Sequence, residues 1–261
     1  MPEHFDGAER TGPVRIVVVY PGLMGTYGDG GNAVALRARC TRRGIDASIV
    51  AVHAPDPVPR DADLYLLGGS ENASQAMAST LLRTEGGLRA AVGNGATIVG
   101  ICGGYQILGE SVTDADGVVV EGLGLLDVRS GPLATRAVGD IAVRVAAPDG
   151  GAPHVLVGFE NHAFGTVLGP AATALGSVER GVGNGLPSTH ERARTEGAVQ
   201  GRVLGTYLHG PLLAVNPALA DHLLAPIVGP LADLDDSIAD EVRELRLALP
   251  AARRRGRGRV R

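Results

Sequence analysis

Lysine is missing from this 261-residue chain, and all 24 basic residues are arginine. A P-loop needs its lysine to reach the phosphates, so a Walker-type nucleotide site is excluded. Tryptophan is also absent and aromatic residues reach only 3%. The core must therefore come from Val, Leu, Ile and Ala. No apolar run attains the length of a membrane-spanning helix, and residues 1–11 are polar, without the apolar stretch of a secretory leader. A cytoplasmic protein is expected on those grounds. Only two cysteines occur, Cys40 and Cys102. They give no disulfide framework and no C-x-x-C pair, so no metal site is expected.

What is present suffices for a folded enzyme-sized unit. Hydrophobic residues make up 44% and charged residues 20%, enough for a large core and too few charges for general disorder. The length suits one large α/β domain or two small ones. Net charge is −4, yet Arg253, Arg254, Arg255, Arg257, Arg259 and Arg261 crowd the last nine residues. Without them the body is more acidic still, which argues against a nucleic-acid surface. The tail reads as a solvated, disordered end, with an acidic partner or anionic lipid head groups as the alternative.

Residues 14–20, V-R-I-V-V-V-Y, form a continuous apolar run of the kind buried in a parallel sheet. A glycine-rich loop at 25–32 follows, then a helix closed by Arg42, Arg43 and Gly44. Cys40 lies inside that helix and reads as structural. Strands are predicted at 47–52 and 63–67, the second ending in Gly68-Gly69-Ser70, and helices at 71–83 and 86–92. A strand over 97–101 then delivers Cys102. Strands and helices alternating at this spacing predict a single doubly wound, mostly parallel sheet flanked by helices. Ligands in such folds sit at the carboxyl ends of the strands, where the Gly25 loop, Gly68-Gly69 and Cys102 converge.

The pattern changes after Gly109 into a β-rich second half. Strands are predicted at 118–128, 138–145 and 155–159, with loops and short strands over 165–201. A strand at 203–208 ends in His209. Asn216-Pro217 opens a helix, and 236–249 is an amphipathic helix with Ile238, Val242, Leu245 and Leu249 on one face. The expected organisation is a polar extension at 1–13, one domain over 14–228, and a C-terminal helix with the Arg-rich tail over 229–261.

Gly100, Cys102 and Gly104 stand as G-x-C-x-G at the end of a β-branched strand. A free cysteine is more often structural than reactive. Flanking glycines reverse that expectation, because a sharp strand-to-helix turn strains the nucleophile's backbone and leaves no room for neighbouring side chains. Amides at the start of the following helix favour a thiolate. A cysteine nucleophile needs a base or an ion-pair partner. His209, at a strand end of the same sheet, is the first candidate and His162 its rival; His4, His53, His154, His190 and His222 have no supporting context. Acyl chemistry also needs donors for an oxyanion: the amide of Gly103, and that of Gly69 on the neighbouring strand.

The runs G-I-C-G-G-Y-Q at 100–106, L-G-G-S at 67–70 and G-T-Y-L-H-G-P at 205–211 resemble class I glutamine amidotransferases. Y-G-D-G-G-N at 27–32, E-G-L-G-L-L-D at 121–127, G-F-E-N-H at 158–162 and the longer run at 205–221 are similar to the cobyric-acid-synthase-type branch. Within it they resemble most the glutaminase subunits of lipid II isoglutaminyl synthase. The likeness covers about 14–224. It implies glutamine hydrolysis by a Cys102 thioester with His209 as acid and base. It also implies Arg136, in T-R-A-V-G-D, as the anchor of the glutamine α-carboxylate through paired hydrogen bonds, and Gln106 as a lining residue of the glutamine pocket. No cofactor is implied for this chain. The resemblance implies that ATP and magnesium are held by a Mur-ligase-like partner subunit, which would activate the D-glutamate carboxylate of lipid II at the inner face of the membrane.

Two departures stand out. Class I members carry a carboxylate two residues after the catalytic histidine, where this chain has Pro211. The orienting acid must come from elsewhere in the chain, Glu160 being one candidate, or from the partner. The second departure is Asn161-His162-Ala163-Phe164, where glycines are usual. A cobyrinate-type amidation and a non-catalytic flavodoxin-like binding protein are the competing readings.

Overall fold

A computed structural model describes residues 12–146, 153–186 and 194–248. The apolar run near the amino end is strand β1 (Val14–Val19), one strand in from the edge of a six-stranded sheet. The chain leaves it through α1 (Gly31–Arg42), returns as β2 (Ala47–Val52) on one side, then crosses to β3 (Leu64–Leu67) on the other. Helices α2 (Asn72–Glu85) and α3 (Gly87–Gly93) lead to β4 (Thr97–Ile101), which runs straight into α4 (Gly103–Leu108). β1 pairs in parallel with β2 and β3, and β3 in parallel with β4. All residues of β3 and β4 are buried, as their apolar sequences require of strands covered on both faces.

The second half returns to this sheet only at its end. β11 (Ala198–Gln200) is antiparallel to β12 (Val203–Thr206), and β12 lies parallel to β4. The spatial order is β11-β12-β4-β3-β1-β2. The order reverses between β1 and β3, so a crevice opens there above the strand ends.

The fold class is the expected mixed α/β arrangement with a doubly wound, mostly parallel sheet. The β-rich second half is a sheet of its own rather than a continuation of the first. It holds β5 (Ser111–Thr113), β6 (Val119–Glu121), β7 (Val128–Val145), β8 (His154–Leu168), β9 (Gly176–Arg180) and β10 (Thr195–Glu196). β7 and β8 pair antiparallel from Val128 opposite Leu168 to Val145 opposite His154, with an irregularity between Pro132 and Ala137. The short strands expected over 165–201 are present as β9, β10 and β11, and the end of β8 also falls in this stretch. The strand expected over 118–128 is only three residues long, since the glycines at 122 and 124 bend the chain back toward α4: the Gly122 and Leu123 amides donate to the Glu110 and Ile107 carbonyls.

Helices α5 (Leu212–Val215) and α6 (Pro217–Val228) follow β12. The last helix, α7 (Ser237–Ala248), has no buried residue, and Ile238 and Leu245 are 78% and 62% exposed. Its apolar stripe is therefore not part of the core. The helix is held by polar contacts: Asp236, just before it, pairs with Arg39, and Arg180 donates to the Arg246 and Leu247 carbonyls. Arg39 also pairs with Asp221, which Arg43 shares; burial opposes the Asp221 carboxylate, but the two guanidiniums outweigh it and hold its pKa down. The Arg-rich tail, His4 and His190 lie outside the described residues. Among the described residues no helix is long and apolar enough to cross a membrane.

Candidate active site

Cys102 sits at the junction of β4 and α4 with φ 53° and ψ −106°, the left-handed side of backbone space for a residue with a side chain. The neighbours explain how the turn is tolerated. A Cβ at Gly100 would lie 2.5 Å from Leu108 Cδ1, and one at Gly104 would lie 2.3 Å from the Leu67 carbonyl oxygen. Only hydrogen fits at either position, so β3, β4 and α4 close around the cysteine. Cys102 is 6% exposed. Gly103 is the first residue of α4, where a helix amide has no partner within the helix. Cys40 is buried in α1 within the core.

β12 brings His209 to the same edge. The His209 amide donates to the Phe159 carbonyl and the Phe159 amide to the His209 carbonyl, at 2.8 and 3.1 Å. This small bridge fixes the histidine backbone to β8. The imidazole is nearly covered, at 4% exposure. Its Nδ1 lies 3.2 Å from Asp29 Oδ1, and the Tyr27 ring packs against it with centroids 5.0 Å apart. Burial alone would lower the His209 pKa. Hydrogen bonds to Asp29 and Cys102, and the charges of both, outweigh burial and raise it to about 9. The imidazolium is thus the favoured form at neutral pH beside the cysteine sulfur.

Gly69, expected as an oxyanion donor, has its amide directed to Asp29 Oδ2 at 2.8 Å. Its carbonyl accepts from the Thr26 amide at 3.2 Å, which ties the β3 loop to the loop after β1. Next to it, Ser70 Oγ is buried without a hydrogen-bond partner, 2.8 Å from where a Cβ on Gly103 would stand. Gln106 is buried and already engaged. Its Oε1 accepts from Gln75 Nε2 at 2.9 Å, and its Nε2 donates to the Tyr207 hydroxyl at 3.4 Å. Arg136 falls in the irregular stretch of β7 and is exposed, with Nε donating to Asn161 Oδ1 at 2.8 Å. It also reaches the Tyr27 hydroxyl, which itself donates to Glu71. Arg136 is therefore one ring away from His209.

His162, the rival base, is elsewhere. It stacks on Tyr207 with centroids 3.9 Å apart, and its Nδ1 is hydrogen-bonded to the Phe164 carbonyl. Glu160, a candidate orienting acid, accepts from the Val182 and Gly183 amides and lies 3.6 Å from His162. Neither reaches His209. A third buried acid, Glu196, is raised to about 8 by burial, against the hydrogen bonds it accepts from Tyr207 and Thr206. Among the described residues no group of three His, Cys, Asp or Glu side chains converges as a metal site would.

Asp29 was not foreseen. In sequence it is one more polar residue in a glycine-rich loop, and its distance from His209 along the chain hides the contact. The available signal was positional: an acid in the loop after β1, on the edge that carries Cys102.

Known proteins resemble this chain over most of its length. The profile of the CobB/CobQ-like glutamine amidotransferase domain matches residues 15–217. The chain is 34% identical to the lipid II isoglutaminyl synthase (glutamine-hydrolyzing) subunit GatD of Staphylococcus aureus, across 77% of this chain and 79% of that one. Its counterpart from Streptococcus pneumoniae is 32% identical, across 81% and 79%. Cobyric acid synthase of Jannaschia sp. is 37% identical over 62% of this chain but only 32% of its own length. Among solved structures, a glutamine amidotransferase from Thermotoga maritima superposes with a TM-score of 0.50 at 14% identity, covering 89% of this chain and 93% of that one, a likeness of fold.

Proposed function

Because the chain belongs to the CobB/CobQ-like glutamine amidotransferase family, we propose that it is the glutaminase subunit of a lipid II isoglutaminyl synthase. It hydrolyses L-glutamine to glutamate and ammonia through a Cys102 thioester. The observation that carries this reading is Cys102 in a strained strand-to-helix turn beside a buried histidine whose pKa is raised to about 9.

The thiolate attacks the side-chain amide carbon, and the negative charge passes to the amide oxygen beside the Gly103 amide. As the C–N bond breaks, the His209 imidazolium gives its proton to the departing ammonia. The neutral imidazole then takes a proton from water, which attacks the thioester. Collapse returns glutamate and the Cys102–His209 pair. Arg136 receives the α-carboxylate, and burial of the pair keeps bulk water from the thioester until ammonia has gone.

The ammonia passes to a Mur-ligase-like partner that holds ATP and magnesium and converts the D-glutamate of lipid II to D-isoglutamine. The extent of the likeness favours this over a cobyrinate-type amidation, since the GatD subunits match 77% and 81% of this chain and the cobyric acid synthase 62%. Cys102→Ala, assayed with the ligase partner present, is expected to abolish ammonia release from glutamine. Release at the unaltered rate would sink the assignment.

A further inference from the structure

The loop between β1 and α1, Tyr27-Gly28-Asp29-Gly30-Gly31-Asn32, is built against the site. Asn32 is fully buried. Its Nδ2 donates to the Asp29 carbonyl and its Oδ1 accepts from the Leu213 amide, both at 2.9 Å. One side chain thus clips the loop to the segment that follows His209. Gly31 packs on the same segment, where a Cβ would stand 2.4 Å from Pro211 Cγ. On the other side the loop meets β3: a Cβ at Gly68 would lie 2.2 Å from the Met24 carbonyl oxygen and 3.1 Å from Asp29 Cβ.

These contacts place the Asp29 carboxylate at 3% exposure, and a carboxylate that deep requires partners. It has two, His209 Nδ1 on one oxygen and the Gly69 amide on the other. We propose that Asp29 is the positioning carboxylate of His209, supplied by the loop after β1 in place of the acid that Pro211 displaces. It holds Nδ1–H and leaves the buried Nε2 directed to the cysteine. The Gly69 amide in turn fixes Asp29, so the loops after β1 and β3 lock each other across the crevice. The substrate in this assignment rests on the glutaminase reading; the geometry does not.

Asp29→Asn tests it, because the amide keeps the shape and can still accept from Gly69. Facing His209, the carboxamide carries no charge to stabilise the imidazolium. The ionisable groups around the ring are Asp29, Cys102 and Tyr27, the last hydrogen-bonded to Glu71 and Arg136. Two readouts are taken on the full chain co-expressed with its ligase partner. The first is kcat and KM for ammonia release from glutamine. The second is the pH profile of Cys102 alkylation by iodoacetamide, mapped by peptide mass. The expected result is a fall in kcat of about a thousandfold with KM changed only a few-fold, and an alkylation profile shifted to higher pH. Wild-type kcat, or a lowered kcat with an unmoved alkylation profile, overturns the proposal. The alkylation arm needs no glutamine. Should Cys102→Ala still release ammonia, the glutaminase reading falls while the role of Asp29 is decided separately.

Discussion

Two buried histidines in this protein each lie beside a carboxylate, and only one of them also meets a cysteine. His209 meets Asp29 at 3.2 Å, and the charges of that carboxylate and of Cys102 lift its pKa to about 9. His162 meets Glu160 at 3.6 Å, but Glu160 is occupied by two backbone amides and the imidazole by the Phe164 carbonyl and the Tyr207 face. The first pair stands at the carboxyl edge of the parallel sheet, and the second belongs to the hairpin of the antiparallel sheet. A buried histidine–acid contact is therefore not by itself a catalytic signature. What separates the two is whether the acid is left for the ring and whether a nucleophile lies on its other side.

The comparison is broken most directly by removing each ring in turn. His209→Ala is expected to lower kcat for ammonia release by about a thousandfold or more, since proton transfer and the thiolate's counter-charge go together. His162→Ala should leave kcat within about tenfold and act on stability instead. Loss of a buried stacked ring costs about 2–3 kcal/mol, read as a lower denaturation midpoint. Reversed effects, with His162→Ala silencing the enzyme and His209→Ala sparing it, would exchange the two assignments. A smaller effect is expected of the anchoring arginine. Arg136→Ala should raise KM for glutamine by about ten- to a hundredfold through loss of two charge-assisted hydrogen bonds, with a lesser change in kcat. A drop in kcat at unchanged KM would remove Arg136 from substrate anchoring.

The parallel sheet was readable because its strands are short apolar runs punctuated by glycine, and the catalytic turn because G-x-C-x-G describes a steric requirement. His209 was readable as the end of a strand in the same sheet. The antiparallel sheet was harder. Its long hairpin alternates around polar residues such as Arg136, Glu160 and Asn161, and the segment after it carries glycines where strands are interrupted. Asp29 was illegible for another reason. Its partner lies 180 residues away, and only the sheet order, with β3 and β4 between β1 and β12, lets the loop after β1 reach across to the segment after β12. The hydrogen bonds of Gly69 and Gln106 met a similar limit: motif position placed both residues near the cysteine, but their contacts to Asp29, Gln75 and Tyr207 are made by distant parts of the chain.

The central claim is that Cys102, and not Cys40, is the nucleophile that meets glutamine. A chloroketone analogue of glutamine, incubated with the full chain and followed by peptide mass mapping, tests it in one measurement. The account predicts a single adduct on Cys102, slowed by excess glutamine and absent from Cys102→Ala. An adduct on Cys40, or one on Cys102 that glutamine does not slow, would contradict it.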